Sequence, residues 1–331
     1  MKNTLKKLCA AYGATGREET VAAVIRDMIT PYVDEIRTDA LGNLIAVKRG
    51  AAKKIMLAAH MDHIGFVVTD IDENGFIRVH NVGGIRQNAS INRHVVFENG
   101  VSGVISIEMR DVDASDTTMR KMFIDIGARD KAEAEKLILR GDVAVYAPDI
   151  FDVGENCVSA PAMDNRAGCA ILVETLKAIA SGPNEVVAVF TSQEEVGLRG
   201  AKAAAYDISP DVGIALDVTF SGDTPKGPLI SVKLGNGIAV KVMDSSLVCH
   251  PGVVKALEKT AAVNAVKYQR EVLTGGGTDA GAIQLTKGGI PAGVLSVPCR
   301  YVHSATETVS IDDMIEGVKL LSAYVMQSDL Y

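Results

Sequence analysis

Two histidines and a set of carboxylates stand out in this chain of 331 residues: His60-Met61-Asp62, Asp164-Asn165, Glu194-Glu195, Asp217 and His303, each just beyond an apolar run. Imidazoles and carboxylates together form a mixed nitrogen and oxygen shell, which suits zinc, cobalt or manganese better than calcium or magnesium. If Asp164, Glu195 and Asp217 converge, three buried carboxylates repel one another and take up protons unless cations neutralise them. Two divalent ions and a bridging hydroxide balance that charge. Adjacent glutamates on one loop point in different directions, so one can bind metal while its neighbour stays free to take a proton. Divalent ions acidify a bound water from about 15.7 toward about 7. The chemistry indicated is a two-metal hydrolysis with water as the nucleophile.

Strands must carry these residues to a common edge. Read as strands, KKIMLAAH, EVVAVFTSQEE and VGIALD deliver His60, Glu194-Glu195 and Asp217 to their C-terminal ends, where open α/β sheets build active sites. Upstream, Thr15 and Glu18 make a capping-box pattern before the helical VAAVIRDMI, Pro31 lies near the end of that helix, and DALGNLIAVKRG reads as a strand. From about Gly65 the texture changes. GFVVTDIDENGFIRVHNVGG places an Asn-Gly turn between β-rich runs, and HVVFENGVSGVISI repeats the device. RDVDASDTTMRKMF is polar and aperiodic, which predicts a mobile loop, and KAEAEKLIL predicts a short helix. Past Pro161, helices over NRAGCAILVETLKAIA, GAKAAAY, HPGVVKALEKTAAVN and DDMIEGVKLLSAYVMQS alternate with strands over EVVAVF, VGIALD and AGVLSVP. The expected fold is α/β, a mixed sheet flanked by helices, made of residues 1–65 and 160–331, with a small β-barrel-like domain inserted at 66–159.

Composition narrows the function. A formal charge of −7 and a pI near 5.5 argue against a protein that lives on phosphate backbones, so nucleic acid is excluded as a partner. Five cysteines, scattered without a CxxC pair, indicate neither a disulfide framework nor a thiolate zinc site, and a reducing cytoplasm fits them. The amino-terminal MKNTLKKLCAAYGATG is too polar to read as a signal peptide, and no apolar run approaches the ~18 residues of a membrane span.

Five segments in order, AAHMDHIGF, APAMDNRAG, TSQEEVGLRGA, ALDVT and PCRYVHSATE, joined by DALGNLIAV and by GGTDA at Gly276 to Ala280, resemble the M42 family of metallo-aminopeptidases, relatives of the tetrahedral TET peptidases. The likeness covers nearly the whole chain. It implies that Asp164 bridges two metals, that His60 and Asp217 complete one site, and that Glu195 and His303 complete the other. Glu194 is then the general base, and Asp62 orients His60 from behind. Also implied are two divalent ions per subunit, zinc or cobalt ahead of manganese, one polarising the scissile carbonyl and the other holding the free α-amino group of a short peptide. The inserted domain is expected to form dimers that assemble into a twelve-subunit tetrahedron.

His63 departs from the pattern, since relatives often carry Glu there, and reads as a rim residue ahead of a third metal ligand. His80, His94 and His250 have no partner pattern and read as structural or exposed. Gly275-Gly276-Gly277-Thr278-Asp279 lacks GxxxxGK[ST], leaving a tight loop near substrate or a plain turn. Arg300 is placed where it could face the cleft. The nearest alternative activity is that of a related metal-dependent amidohydrolase, a dipeptidase or deacetylase. An endoglucanase, the name some M42-like chains carry, needs carboxylates ~5 to 9.5 Å apart across the sugar bond. Aromatic sugar platforms would also be expected, and the chain has no Trp and 5% aromatics. A non-catalytic binder on the same scaffold would have lost Glu194 or a ligand, and none is lost.

Overall fold

The structure is a computed structural model and describes residues 1–108 and 118–331; residues 110–117 of the expected polar loop lie outside the described residues. The chain begins with α1 (Lys2–Ala10), α2 (Glu19–Ile29), β1 (Glu35–Thr38), β2 (Leu44–Lys48) and β3 (Lys54–His60). A second body follows: β4 (Gly65–Ile71), β5 (Ile77–Val82), α3 (Gln87–Ser90), β6 (Arg93–Phe97), β7 (Ser102–Ile107), β8 (Met122–Asp125), α4 (Lys131–Ala134) and β9 (Val143–Tyr146). Its six strands close into a barrel in the order β4-β5-β8-β7-β6-β9 around Phe66, Val95, Phe97, Ile105, Ile124 and Tyr146. Closure leaves no unpaired edge within the barrel.

The first body then resumes with β10 (Phe151–Val153), β11 (Cys157–Ala160), α5 (Met163–Ala178), β12 (Glu185–Thr191), α6 (Arg199–Ile208) and β13 (Val212–Phe220). It ends with β14 (Ile238–Met243), α7 (Pro251–Val263), β15 (Tyr268–Val272), α8 (Asp279–Gln284), β16 (Ala292–Arg300), β17 (Glu307–Ser310) and α9 (Ile311–Val325). The large sheet runs β1-β2-β12-β3-β13-β16-β17-β11-β10, with β14 joined to β16 and β15 to β14. Because β10 and β11 pair into this sheet through β17, the chain returns to it before the expected division at 159/160.

The central strands β12, β3, β13 and β16 are parallel. Such strands are covered on both faces, which explains the nearly unbroken apolar run of β3. Along β3 the side chains alternate: Ile55, Leu57 and Ala59 join the core under α1, α2, α5 and α9, while Met56 and Ala58 join the core under α6 and α8. Sequence alone did not separate out β14, β15 and β17. They are short, and β15, with one buried residue in five, lacks an apolar stripe. The Thr15/Glu18 capping box is also corrected. Neither side chain caps α2, because both are turned toward the C-terminal edge of the sheet.

Candidate metal centre

Parallel pairing sets the level at which the residues emerge. Thr191 of β12 lies beside His60 of β3, which puts Glu194-Glu195 on the loop just above. Ala58 pairs with Ala215, so His60, the last residue of β3, stands level with Asp217 two residues further on, while β13 itself continues to Phe220 beside β16. Asp164 comes from the first turn of α5, where it and Asn165 depart from helical geometry across a cis peptide bond. His303 follows β16 in a left-handed backbone conformation.

All seven residues singled out from sequence meet here. Asp164 divides its carboxylate between the two imidazoles: Oδ1 is 3.0 Å from His60 Nε2, and Oδ2 is 3.3 Å from His303 Nε2. Each Nε2 faces a further carboxylate at 3.6 Å, Asp217 Oδ1 beside His60 and Glu195 Oε1 beside His303. Glu194 Oε2 lies 4.0 Å from His60 Nε2. Two groups bring their ligand atoms within 4.8 Å of one another, His60 with Asp164 and Glu195, and His60 with Glu194 and Asp217, so Glu194 stands inside the cluster.

The donor chemistry fits a cation. His60 Nδ1 is 2.9 Å from the main-chain oxygen of Asp62, and His303 Nδ1 is 2.8 Å from that of Gly84. A carbonyl oxygen only accepts, so both Nδ1 atoms carry hydrogen and both Nε2 lone pairs aim at carboxylates. Acceptors facing acceptors need a proton or a metal ion between them. Without an ion, burial opposes charge on His60, but Glu194 and hydrogen bonds with Asp164, Asp217 and Asp62 outweigh it and hold the imidazole well above its usual range. His303 is likewise lifted to about 10, burial being overcome by Asp164 and Glu195. Burial and the nearby Asp164 charge push Glu195 up to about 8.

Behind the cluster, carboxylates hold the backbone. The fully buried Asp62 accepts Glu194 N–H at 3.0 Å on Oδ1, and Glu195 N–H at 3.2 Å and Thr15 Oγ1 at 2.9 Å on Oδ2. Glu18 accepts the Gln193 and Gly16 N–H groups. Three consecutive N–H groups of the glutamate loop are thus bound to two carboxylates, and Asp62 touches His60 mainly through its main-chain oxygen. Glu307 performs the same task opposite, accepting His303 N–H at 2.6 Å on Oε1 and Asp164 N–H at 2.9 Å on Oε2. Arg166, fully buried, donates to the carbonyls of Met61, Leu8 and Ala11, which pins the first helix to the end of β3. The barrel contributes Gly84, where an added Cβ would lie 2.7 Å from His303 Nδ1, too close for any side chain.

Sequence reasoning missed Glu307 and Arg166, and assigned Thr15 and Glu18 to a cap. Their signal was proximity to a motif: Glu307 follows His303 by four residues, and Arg166 follows Asp164 by two. Two expectations change. His63 is no rim residue; it is 4% exposed, lines a cavity together with Tyr12 and Tyr146 and apart from the cleft, and its Nδ1 has no partner among the described residues. Arg300 does not line the cleft, because Asp223 takes its guanidinium at 2.8 and 2.7 Å. Gly276 and Gly277 do line it, and Asp279 is buried beside them, accepting from Thr191 at 2.5 Å. His80, His94 and His250 are exposed.

Comparison with known proteins gives the family and the fold. The sequence model of the M42 glutamyl aminopeptidases matches residues 42–320. A relative from Acetivibrio thermocellus, named as an aminopeptidase, is 50% identical over 97% of each chain. Aminopeptidase APDkam598 from Desulfurococcus kamchatkensis superposes with a TM-score of 0.94 at 36% identity, covering 98% of this chain and 94% of its own. The TET1 peptidase of Pyrococcus horikoshii, which can assemble into a tetrahedron or a large octahedral shell, gives 0.89 at 33% identity over 98% and 99%. Among the described residues, no helix is long and apolar enough to cross a membrane.

Proposed function

Because this chain belongs to the M42 glutamyl aminopeptidase family, we propose that it is a two-metal aminopeptidase that removes amino-terminal residues one at a time from short peptides. The observation that carries the reading is the division of Asp164 between two imidazoles, each with its own further carboxylate. His60 and Asp217 would hold one ion, Glu195 and His303 the second, and Asp164 would serve both. When bound, two divalent cations, zinc or cobalt ahead of manganese, polarise the scissile carbonyl and lower the pKa of a water molecule.

The chain's own residues do the rest. Glu194 is the general base: its carboxylate faces the cluster without belonging to the pairs formed around Asp164, and Asp62 fixes its backbone. Burial raises its affinity for a proton, and repulsion from Asp217, Asp279 and Glu195 adds to this against the attraction of His60. A carboxylate whose proton affinity is raised in this way accepts a proton from attacking water and returns it to the leaving amine. Gly276 and Gly277 leave room for substrate backbone beside the cluster. A free α-amine held at the metals would limit cleavage to the first residue, and an N-acetylated peptide should resist. A dipeptidase or deacetylase would instead act on dipeptides or on the acetyl group itself.

Residues 66–159 are assigned to subunit contact. The segment holds none of the five proposed ligands, and its main chain meets the site at Gly84, whose oxygen accepts from His303 Nδ1. Its barrel exposes Val104, Leu137 and Leu139. Such apolar surface suits dimers built through the barrel, assembling further as the Pyrococcus horikoshii relative does. Light scattering at micromolar concentration should give a multiple of the 34.9 kDa subunit. A strictly monomeric mass would remove the assembly and leave the metal chemistry standing.

A further inference from the structure

The cleft that holds the carboxylates is also walled by the apolar side chains of Leu198, Val218, Phe220, Leu273 and Val302, with Thr219 and Gly276-Gly277 among them. One charged side chain outside the ligand cluster lines it, Lys241. Its ammonium is 1% exposed and lies 3.2 Å from Asp244 Oδ2 and 3.1 Å from Glu271 Oε1. Both partners are buried and fixed in turn. Asp244 caps the Ser246 and Leu247 N–H groups, and Glu271 accepts Thr219 Oγ1 at 2.7 Å. Burial works against charge on Lys241, but Glu271 and Asp244 outweigh it and keep the amine above its ordinary range. The ammonium is therefore charged and already matched by two carboxylates.

That arrangement discriminates between side chains. An acidic one entering the pocket would bring a third carboxylate to an ammonium that already serves two, and a carboxylate taken from water without a partner is costly. A basic one would bring its cation against Lys241, with the carboxylates of the cluster engaged by metal ions. A neutral aliphatic one needs no counter-charge and, against Leu198, Val218, Phe220, Leu273 and Val302, gains about fourfold in affinity for each methylene buried.

We propose that this pocket receives the side chain of the substrate's first residue and selects neutral aliphatic residues such as leucine and methionine over glutamate and lysine, with Lys241 a matched counter-ion and not an anion receptor. This rests on the aminopeptidase reading above. The test is kcat/KM for leucyl-, methionyl-, glutamyl- and lysyl-p-nitroanilide at mildly alkaline pH, using metal-supplied wild type and Glu271→Gln. Leucyl and methionyl substrates should lead the charged ones by at least about tenfold. Glu271→Gln releases one partner of Lys241, so the leucyl-to-glutamyl ratio should fall by about tenfold. Glutamyl or lysyl hydrolysis as fast as leucyl overturns the selectivity and leaves the aminopeptidase intact, whereas hydrolysis of none of the four overturns both. An unchanged ratio in Glu271→Gln overturns the part given to Lys241, and the wild-type panel decides the rest if that variant does not fold.

Discussion

Glu194→Gln will keep its metal ions and lose about 10²- to 10⁴-fold in turnover, the usual cost of removing a general base. The amide preserves the side chain's volume, and the backbone N–H of residue 194 still binds Asp62, so the loop keeps its place. None of the pairs around Asp164 involves this side chain, so the principal ligands remain. What disappears is the acceptor for the proton of attacking water. Elemental analysis alongside steady-state kinetics checks both halves. A variant with a near-normal rate would remove Glu194 from this role, and one that had lost its metal would recast it as a ligand.

Asp164→Asn should lower occupancy at both metal positions together. Each carboxylate oxygen faces a different imidazole, at 3.0 and 3.3 Å, and the amide offers one acceptor and no charge to the pair. Glu307→Gln gives the graded comparison. Glu307 accepts the N–H groups of His303 and Asp164, one on each oxygen, so its amide would set a donor against one of them and tilt two ligands without removing either. Losses of about 10- to 100-fold in metal affinity are typical of such supporting residues. Metal content after dialysis, with competition against a chromogenic chelator, orders the three proteins. Unchanged stoichiometry in Asp164→Asn would argue against a shared carboxylate.

Much of this centre was legible in the sequence because its residues lie at or near the C-terminal ends of strands. The apolar runs before His60, Glu194 and Asp217 are parallel strands covered on both faces, and periodicity reports such strands well. The barrel was legible for a related reason, since Asn-Gly turns between β-rich runs mark hairpins. What escaped were contacts that local pattern does not encode. Thr15 and Glu18 match a capping box in spacing, yet long-range pairing with Asp62 and the Gln193 N–H takes both side chains. Glu307 and Arg166 act through backbone groups far away in sequence. His63 sits next to Asp62 but lines a cavity apart from the cleft, and its backbone N–H binds the Gly13 carbonyl. Arg300 is drawn off by Asp223, a partner 77 residues away.

The most direct test of the two-metal aminopeptidase is mass spectrometry of a peptide digest by protein stripped with a chelator and then re-supplied stepwise with zinc, cobalt or manganese. The account predicts no cleavage by the stripped protein and full recovery at two ions per subunit. The unblocked peptide should shorten one residue at a time from its amino terminus, while its N-acetylated copy stays intact. Internal cuts as first products, equal cleavage of the acetylated copy, or full activity in the stripped protein would contradict it.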